Sequence, residues 1–233
     1  MQTVIKGISS MATRQLLAEL AAAFEQQSDC VVSFESVGGV DAVKRIQAGE
    51  MFDLAVLGSD AIDKLIATGH IRAGSRVDLV LSGVAVAVRA GAALPDISSE
   101  CAVRLAVRSA RSISYSTGPS GVALVKLFER WGIANEIQSR IVQAPPGVPV
   151  ATLLSSGQVE LGFQQLSELL HVEGVAVVGP LPPAIQITTT FSAGIPTRVS
   201  ADSSTAKQVR ELLDFMTSPQ TVVAKRRQGM EPA

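Results

Sequence analysis

The chain is poor in the residues that mark most enzymatic chemistries. Among 233 residues there are seven Phe, one Tyr, one Trp, two His and two Cys. His70 follows the helix-ending run Ala67-Thr68-Gly69 and His171 precedes Val172-Glu173-Gly174, so both read as surface residues rather than proton shuttles. No close His/Cys/carboxylate grouping has metal-ligand spacing, and no metal is expected. Cys30 near a strand start and Cys101 in a helical or loop segment belong to different halves of the chain and are expected as free thiols. Gly118-Pro119-Ser120-Gly121 lacks the spacing of a serine nucleophile elbow, and the glycines spell neither a P-loop nor a dinucleotide fingerprint, so no cofactor is implied.

Charge of one sign is missing too. Twenty Lys and Arg stand against 21 Asp and Glu, a formal charge of −1. With no long basic run and few aromatics, the footprint of a nucleic-acid binder is absent. The densest basic cluster, Lys225-Arg226-Arg227, lies where a C-terminal helix ends and cations complement its dipole. No apolar run reaches the roughly 18 residues a membrane span needs. Residues 1–5 run directly into a strand pattern and 14–24 are amphipathic, so no signal peptide is read; the expected location is cytoplasmic, or periplasmic if a leader has been removed.

What is present is a well-stocked core and a repeated local pattern. The chain is 47% hydrophobic, enough to bury a sizeable interior. Residues 4–8 form a short apolar strand, and Leu17, Leu20, Ala21 and Phe24 recur at helical spacing after it, with Ser9 or Ser10 as N-cap. Residues 30–34 with Val40, Val43 and Ile46, stopped at Gly49, make a second β-α unit. Residues 52–57 with Ile62, Leu65 and Ile66, stopped at Gly69, make a third. This rhythm predicts an α/β fold with a mainly parallel sheet flanked by helices, whose ligands sit at the carboxyl ends of the strands.

Residues 77–89 are a longer β-rich run, after which the alternation restarts with 113–116, a helix to Trp131, a short strand at 141–142, a helix over 150–154, and 161–163. A second extended run over 185–191 returns the chain to helices at 205–216 and 219–227. The expectation is two lobes, 1–82 with 192–233 and 83–191, joined by two hinge crossings near 80–88 and 185–193, with a ligand cleft between them.

The most informative stretch is Tyr115-Ser116-Thr117-Gly118-Pro119-Ser120-Gly121, directly before an apolar helix. Small, hydroxylated residues at a strand-to-helix junction leave N–H groups uncovered where the helix dipole favours an anion. Gly7-Ile8-Ser9-Ser10, Ser36-Val37-Gly38-Gly39 and Gly58-Ser59-Asp60 repeat the arrangement. Helix capping alone would select similar residues, but four such junctions predict a pocket for a small anion. Lys6 interrupts an apolar strand, as cation, base or a snorkelling surface residue. Glu35 could serve as base or as a structural partner, and Arg14 could reach a carboxylate bidentately. Tyr115 reads as a packed aromatic with a wet tip and Trp131 as core.

In order and spacing, Ser9-Ser10, Ala21-Ala22-Ala23-Phe24-Glu25, Gly38-Gly39 with Ile46-Gln47-Ala48-Gly49, Phe52-Asp53-Leu54-Ala55-Val56-Leu57, Pro119-Ser120-Gly121 and Ser156-Gly157-Gln158-Val159-Glu160-Leu161-Gly162 resemble the type II periplasmic binding proteins. Within that superfamily they are similar to the molybdate-binding components of ABC importers. The resemblance implies a two-lobed, periplasmic-binding-protein-like fold, a monomer, an oxyanion ligand and importer membrane subunits as partners. Carried onto this chain, the anion-binding positions are Ser10, Gly39 or Val40, Ser59, Ser120, Gly147 and Gln165; the reading of the junctions and of the first helix adds Ser9, Arg14, Gly38, Ser116, Thr117 and Gln164 as ligand-binding candidates. Gly38-Gly39-Val40 replaces a serine of the molybdate pattern, and Gln164-Gln165 replaces a Val-Tyr pair. Fewer hydroxyls and more amides shift the expected ligand from molybdate toward a larger carboxylate. The chain equally resembles the aconitate isomerase branch, which implies an enzyme shifting a C=C bond; no one motif separates the two branches, and the catalytic candidates this chain itself offers are Lys6 and Glu35. A free-standing cytosolic sensor domain is the third reading.

Overall fold

Burial decides where strand one is covered and where it is open. The computed structural model describes residues 3–145 and 147–233. In β1 (Thr3–Ser10), Gly7, Ile8 and Ser9 are buried in succession while Val4 and Lys6 stay exposed. Burial on both faces is what a central parallel strand requires. A short 3₁₀ turn, Met11–Thr13, leads to α1 (Arg14–Glu25), then β2 (Cys30–Val37), α2 (Gly39–Gln47), β3 (Leu54–Gly58) and α3 (Ser59–Ala67). β1 runs parallel to both β2 and β3. Gly49 and Gly69 end α2 and α3 at φ of 84° and 75°, a conformation in which glycine carries no Cβ penalty.

β4 (Val77–Arg89) is followed by α4 (Glu100–Ser109), β5 (Ile113–Tyr115), α5 (Pro119–Arg130), α6 (Ala134–Ile137), α7 (Val150–Ser155), β6 (Leu161–Gln165), α8 (Leu166–Leu169) and β7 (Val175–Pro180). β8 (Thr188–Gly194), α9 (Ser204–Thr217), α10 (Val222–Arg227) and β9 (Met230–Pro232) complete the chain. The chain divides into two compact units: the residues up to Leu81 with Thr190–Ala233, and Ser82–Thr189. The crossings therefore fall within β4 and β8.

In the first unit β8 pairs antiparallel with β3, giving the order β2-β1-β3-β8. One face of this sheet packs Ile5, Val32, Leu54 and Val56 against α1 and α9, and the other packs Ile8, Ala55 and Leu57 against α2 and α3. In the second unit the sheet is mixed. The distal half of β4 is antiparallel to β6 and β7, and β5 is parallel to β6. Val84, Val86, Tyr115 and Phe163 pack on α4 and α5, while Ala85, Ala87, Val150 and Leu154 form the opposite layer.

Several sequence expectations shift. The strand expected at 141–142 is a single bridge between Ile141 and Ile113. The run expected to begin at Ile185 begins at Thr188, because residues 183–185, which Pro183 opens, make a 3₁₀ turn. Cys30 is buried, Cys101 is exposed, and neither is bonded.

Candidate functional site

The parallel register sets the first unit's strand ends level. Ser9 lies opposite Ser36 on one side and Val56 on the other, and Ser10 lies opposite Val37. Ser9 is fully buried, and its Oγ lies 2.8 Å from Ser36 Oγ. Neither Ser9 nor Ser10 caps α1 with its side chain; Ser10 instead offers its carbonyl to the Thr13 hydroxyl at 3.0 Å. Gly38 and Gly39 stand at the start of α2, and Gly58 and Ser59 at the start of α3. All four of Ser10, Gly38, Gly39 and Ser59 are partly exposed.

In the second unit the register puts Tyr115 level with Phe163, so Ser116 and Thr117 leave the sheet beside Gln164 and Gln165. Ser116 Oγ and Ser120 Oγ are 3.3 Å apart. A Cβ added to Gly121 would stand 1.8 Å from the Ser116 carbonyl oxygen, so the 116–118 loop folds onto α5 only because Gly121 has no side chain. Gln164 is buried; its Oε1 accepts from the Val150 N–H at 2.9 Å and its Nε2 donates to Glu168 at 2.8 Å. It thereby satisfies the first N–H of α7. Gln165 Nε2 donates to Thr189 Oγ1 at 2.9 Å. Gly147, at φ 79°, turns the chain before α7.

Capping separates helices that serve structure from helices that follow the junctions. The described helices of nine residues or longer are α1, α2, α3, α4, α5 and α9. Only α4 and α9 carry side-chain caps, Ser99 accepting from Ala102 N–H and Ser203 from Ala206 N–H. α1, α2, α3 and α5, the four behind the serine- and glycine-rich junctions, have none. At α2, α3 and α5 the N-cap is a glycine, Gly38, Gly58 or Gly118, so the leading N–H groups meet no side-chain acceptor and the dipole there favours negative charge; α1 continues the 3₁₀ turn, and its Arg14 N–H donates to the Met11 carbonyl.

The titratable candidates stand apart from these donors. Lys6 is exposed in mid-strand, four residues or roughly 13 Å along β1 from Ser10. Its backbone pairs with Asp53, which accepts the Lys6 N–H at 2.8 Å. Arg14 opens α1 and is exposed. Glu35 is gripped by Arg45 through two hydrogen bonds of 2.5 and 2.8 Å. Arg45 also bonds Glu50 and lies 5.3 Å from the centre of the Phe52 ring. The Arg45 hydrogen bonds hold Glu35 below the usual carboxylate range, which makes it a poor proton acceptor near neutrality. Tyr115 is buried, and burial raises its phenol above its ordinary value.

Sequence reading passed over Ser36 as a site residue, although its offset from the second strand start equals that of Ser9 from the first. It also passed over Ser82, Ser167 and Thr189, for which no local pattern signals a role.

The profile of the bacterial extracellular solute-binding proteins matches residues 5–231. A protein named aconitate isomerase, from Pseudomonas sp., is 32% identical over 236 residues, covering 99% of this chain and 88% of that protein. Among solved structures, the Azotobacter vinelandii periplasmic molybdate-binding protein superposes with a TM-score of 0.79 at 21% identity, covering 98% of this chain and 99% of that one. The sulfate-binding protein SubI from Mycobacterium tuberculosis H37Rv gives a TM-score of 0.77 at 14% identity, covering 99% and 87%. The structural likenesses speak to a periplasmic-binding-protein-like α/β fold, and the sequence match places the chain itself: it belongs to the bacterial extracellular solute-binding protein family.

Proposed function

We propose that the protein binds a small oxyanion or carboxylate through N–H and hydroxyl donors at the carboxyl ends of its strands, as the substrate-binding component of an ABC-type importer. The observation that carries this reading is that α2, α3 and α5 start on a glycine N-cap with no side-chain acceptor, whereas α4 and α9 start on a capping serine. A serine at an N-cap normally spends its oxygen on the helix, but Ser9, Ser36, Ser116 and Ser120 stand off that position. Here Ser9 and Ser36 hold each other instead, as do Ser116 and Ser120. Hydroxyls paired in this way can turn their protons onto an anion, adding to the uncapped N–H groups. Membership of the solute-binding family and likeness to oxyanion-binding folds support the reading. The Gln165 amide, whose Oε1 is unmatched, favours a carbon-based acid over molybdate, while Gln164 is held by the Val150 N–H and Glu168.

Titration calorimetry against molybdate, tungstate, sulfate, citrate, tricarballylate and cis-aconitate tests it. Micromolar binding of one or more is expected, weakened at least tenfold by Ser9→Ala or Ser120→Ala. Silence across the panel at millimolar concentration refutes it.

A second reading, an isomerase acting on a small tricarboxylate, is favoured by one observation, the 32% identity to a protein named aconitate isomerase across 99% of the chain. Such a reaction removes a proton from the carbon next to a C=C bond, shifts the bond, and returns a proton at its far end. Lys6 and Glu35 are the groups this reading draws on, and Glu35 serves it only once released from Arg45, which otherwise holds it as a poor proton acceptor. Chromatography of cis-aconitate incubated with the protein decides it: trans-aconitate should form and should diminish in Lys6→Ala and Glu35→Gln. Turnover indifferent to both changes moves the base elsewhere, and no turnover removes the enzyme reading.

A further inference from the structure

Four buried polar side chains of the second unit have no hydrogen-bond partner on at least one atom: Ser82 Oγ, Ser114 Oγ, Gln165 Oε1 and Ser167 Oγ. Ser82 is wholly buried, Gln165 is 4% exposed and Ser167 is 7% exposed. Buried polar atoms are seldom left unmatched, so a cluster of them marks a place for an occupant.

Strand register draws two of the four, Ser82 and Gln165, together. Val84 lies opposite Gln165 in the antiparallel β4–β6 pair. On its other side, the Val84 N–H donates to the Ile187 carbonyl at 3.0 Å. Two residues further in that antiparallel direction, Ser82 falls level with Thr189. Gln165 bonds Thr189 across β4, so its amide passes over the face that carries Ser82 and Val84. Thr189 is only partly buried and gives access from outside. A threonine hydroxyl donates or accepts, so whichever way the amide is turned one of its atoms is left to face an occupant.

The chemistry of the surroundings names the occupant. Segments 82–88, 113–121, 161–167 and 184–191, which frame the cluster, contain no charged residue and no histidine. A set of hydroxyls and one amide, without a cation, matches a neutral group that both donates and accepts. Continuing the parallel β5–β6 register by two residues sets Thr117 beside Gln165. The uncapped start of α5, with Ser116 and Ser120, is thus about one strand spacing away.

We propose that Ser82, Gln165 and Thr189 form a hydroxyl-reading subsite, so that the ligand is a small hydroxycarboxylate. This rests on the solute-binding reading above and narrows it. The carboxylate meets the α5 start, and the ligand's hydroxyl donates to and accepts from the subsite. A site built to bond a hydroxyl rejects the analogue without it, because the buried partners are then left unmatched.

Calorimetry on the full chain with two matched pairs, citrate against tricarballylate and malate against succinate, provides the test. In at least one pair the hydroxylated member should bind tenfold or more tightly. Ser82→Ala and, separately, Gln165→Leu should bring that ratio to about one by lowering the affinity of the hydroxylated member, with the urea midpoint confirming that each variant is folded. Equal binding within both pairs, or a ratio that survives both substitutions, overturns the subsite while leaving solute binding intact. Binding of sulfate or molybdate but of neither pair overturns it likewise. If no anion binds at all, the solute-binding reading fails and the subsite fails with it.

Discussion

Around their sheets the two units match buried polar groups to different extents; the first unit's own unmatched atoms, Gln208 Oε1 and Ser218 Oγ, lie on α9 and just past its end. At the strand ends of the first, Ser9 pairs with Ser36 and Thr13 with the Ser10 carbonyl. In the second, Ser82, Ser114, Gln165 and Ser167 are buried with at least one unmatched atom. Pairing within the protein presets donors before a ligand arrives and lowers the ordering cost of binding. Unmatched groups reward a ligand that completes them and penalise one that does not.

The largest effect that sharpens this contrast comes from paired glycine substitutions. Gly121→Ala drives a methyl group into the Ser116 carbonyl, whereas a Cβ at Gly39 meets nothing within 4 Å. Gly121→Ala should cost about 1–3 kcal/mol in urea unfolding and lower anion affinity. Gly39→Ala should leave stability within about 0.5 kcal/mol. Equal losses would break the comparison.

Next come the serines. Ser9→Ala removes the partner of Ser36 and should destabilise by about 1 kcal/mol. Ser114→Ala deletes a wholly buried hydroxyl that has no partner, and should be neutral or slightly stabilising. A matching loss at Ser114 in the urea midpoint would show that its hydroxyl is satisfied in solution.

The smallest effect is in acid. Asp78 accepts from Arg76 and from the buried Ser192 hydroxyl, at 2.9 and 2.6 Å, and these bonds, Arg76 first, lower its carboxyl below the ordinary 3.8. The folded state therefore holds fewer protons here than the unfolded chain near that pH. The stabilisation is complete above the unfolded value and disappears as pH falls through the lower folded one. Asp78→Asn should flatten the acid limb of a stability–pH profile. The segments framing the hydroxyl subsite carry no charge, so Ser82→Ala should leave that limb unchanged.

The β-α rhythm of the first unit was legible because each step has its own local signal: an apolar strand, a small-residue junction, a 3.6-residue stripe and a stopping glycine at Gly49 or Gly69. β4 was readable to its ends as a β-rich run over 77–89, although Ser82-Gly83 reads as an interruption and the strand in fact continues through it. α4, β7 and β9 were not. Val175–Pro180 shows no alternation because every residue up to Gly179 is half-buried, so period two leaves no trace. Glu100–Ser109 buries only Val103 and Val107, a stripe too narrow to stand out among its charges. Glu35 looked available as a base, but its partner Arg45 is ten residues away and meets it only once α2 has folded back.

By itself the sequence determined the α/β class, the junctions where strands yield to helices, and the neutrality of the segments around Gln165, because these depend on residues adjacent in the chain. Only the tertiary structure decided that Ser9 meets Ser36, that Arg45 occupies Glu35, and which buried hydroxyls lack a partner. Those outcomes depend on strand register, which brings together residues 10 to more than 100 positions apart in the chain, and a one-residue slip would send each side chain to the opposite face.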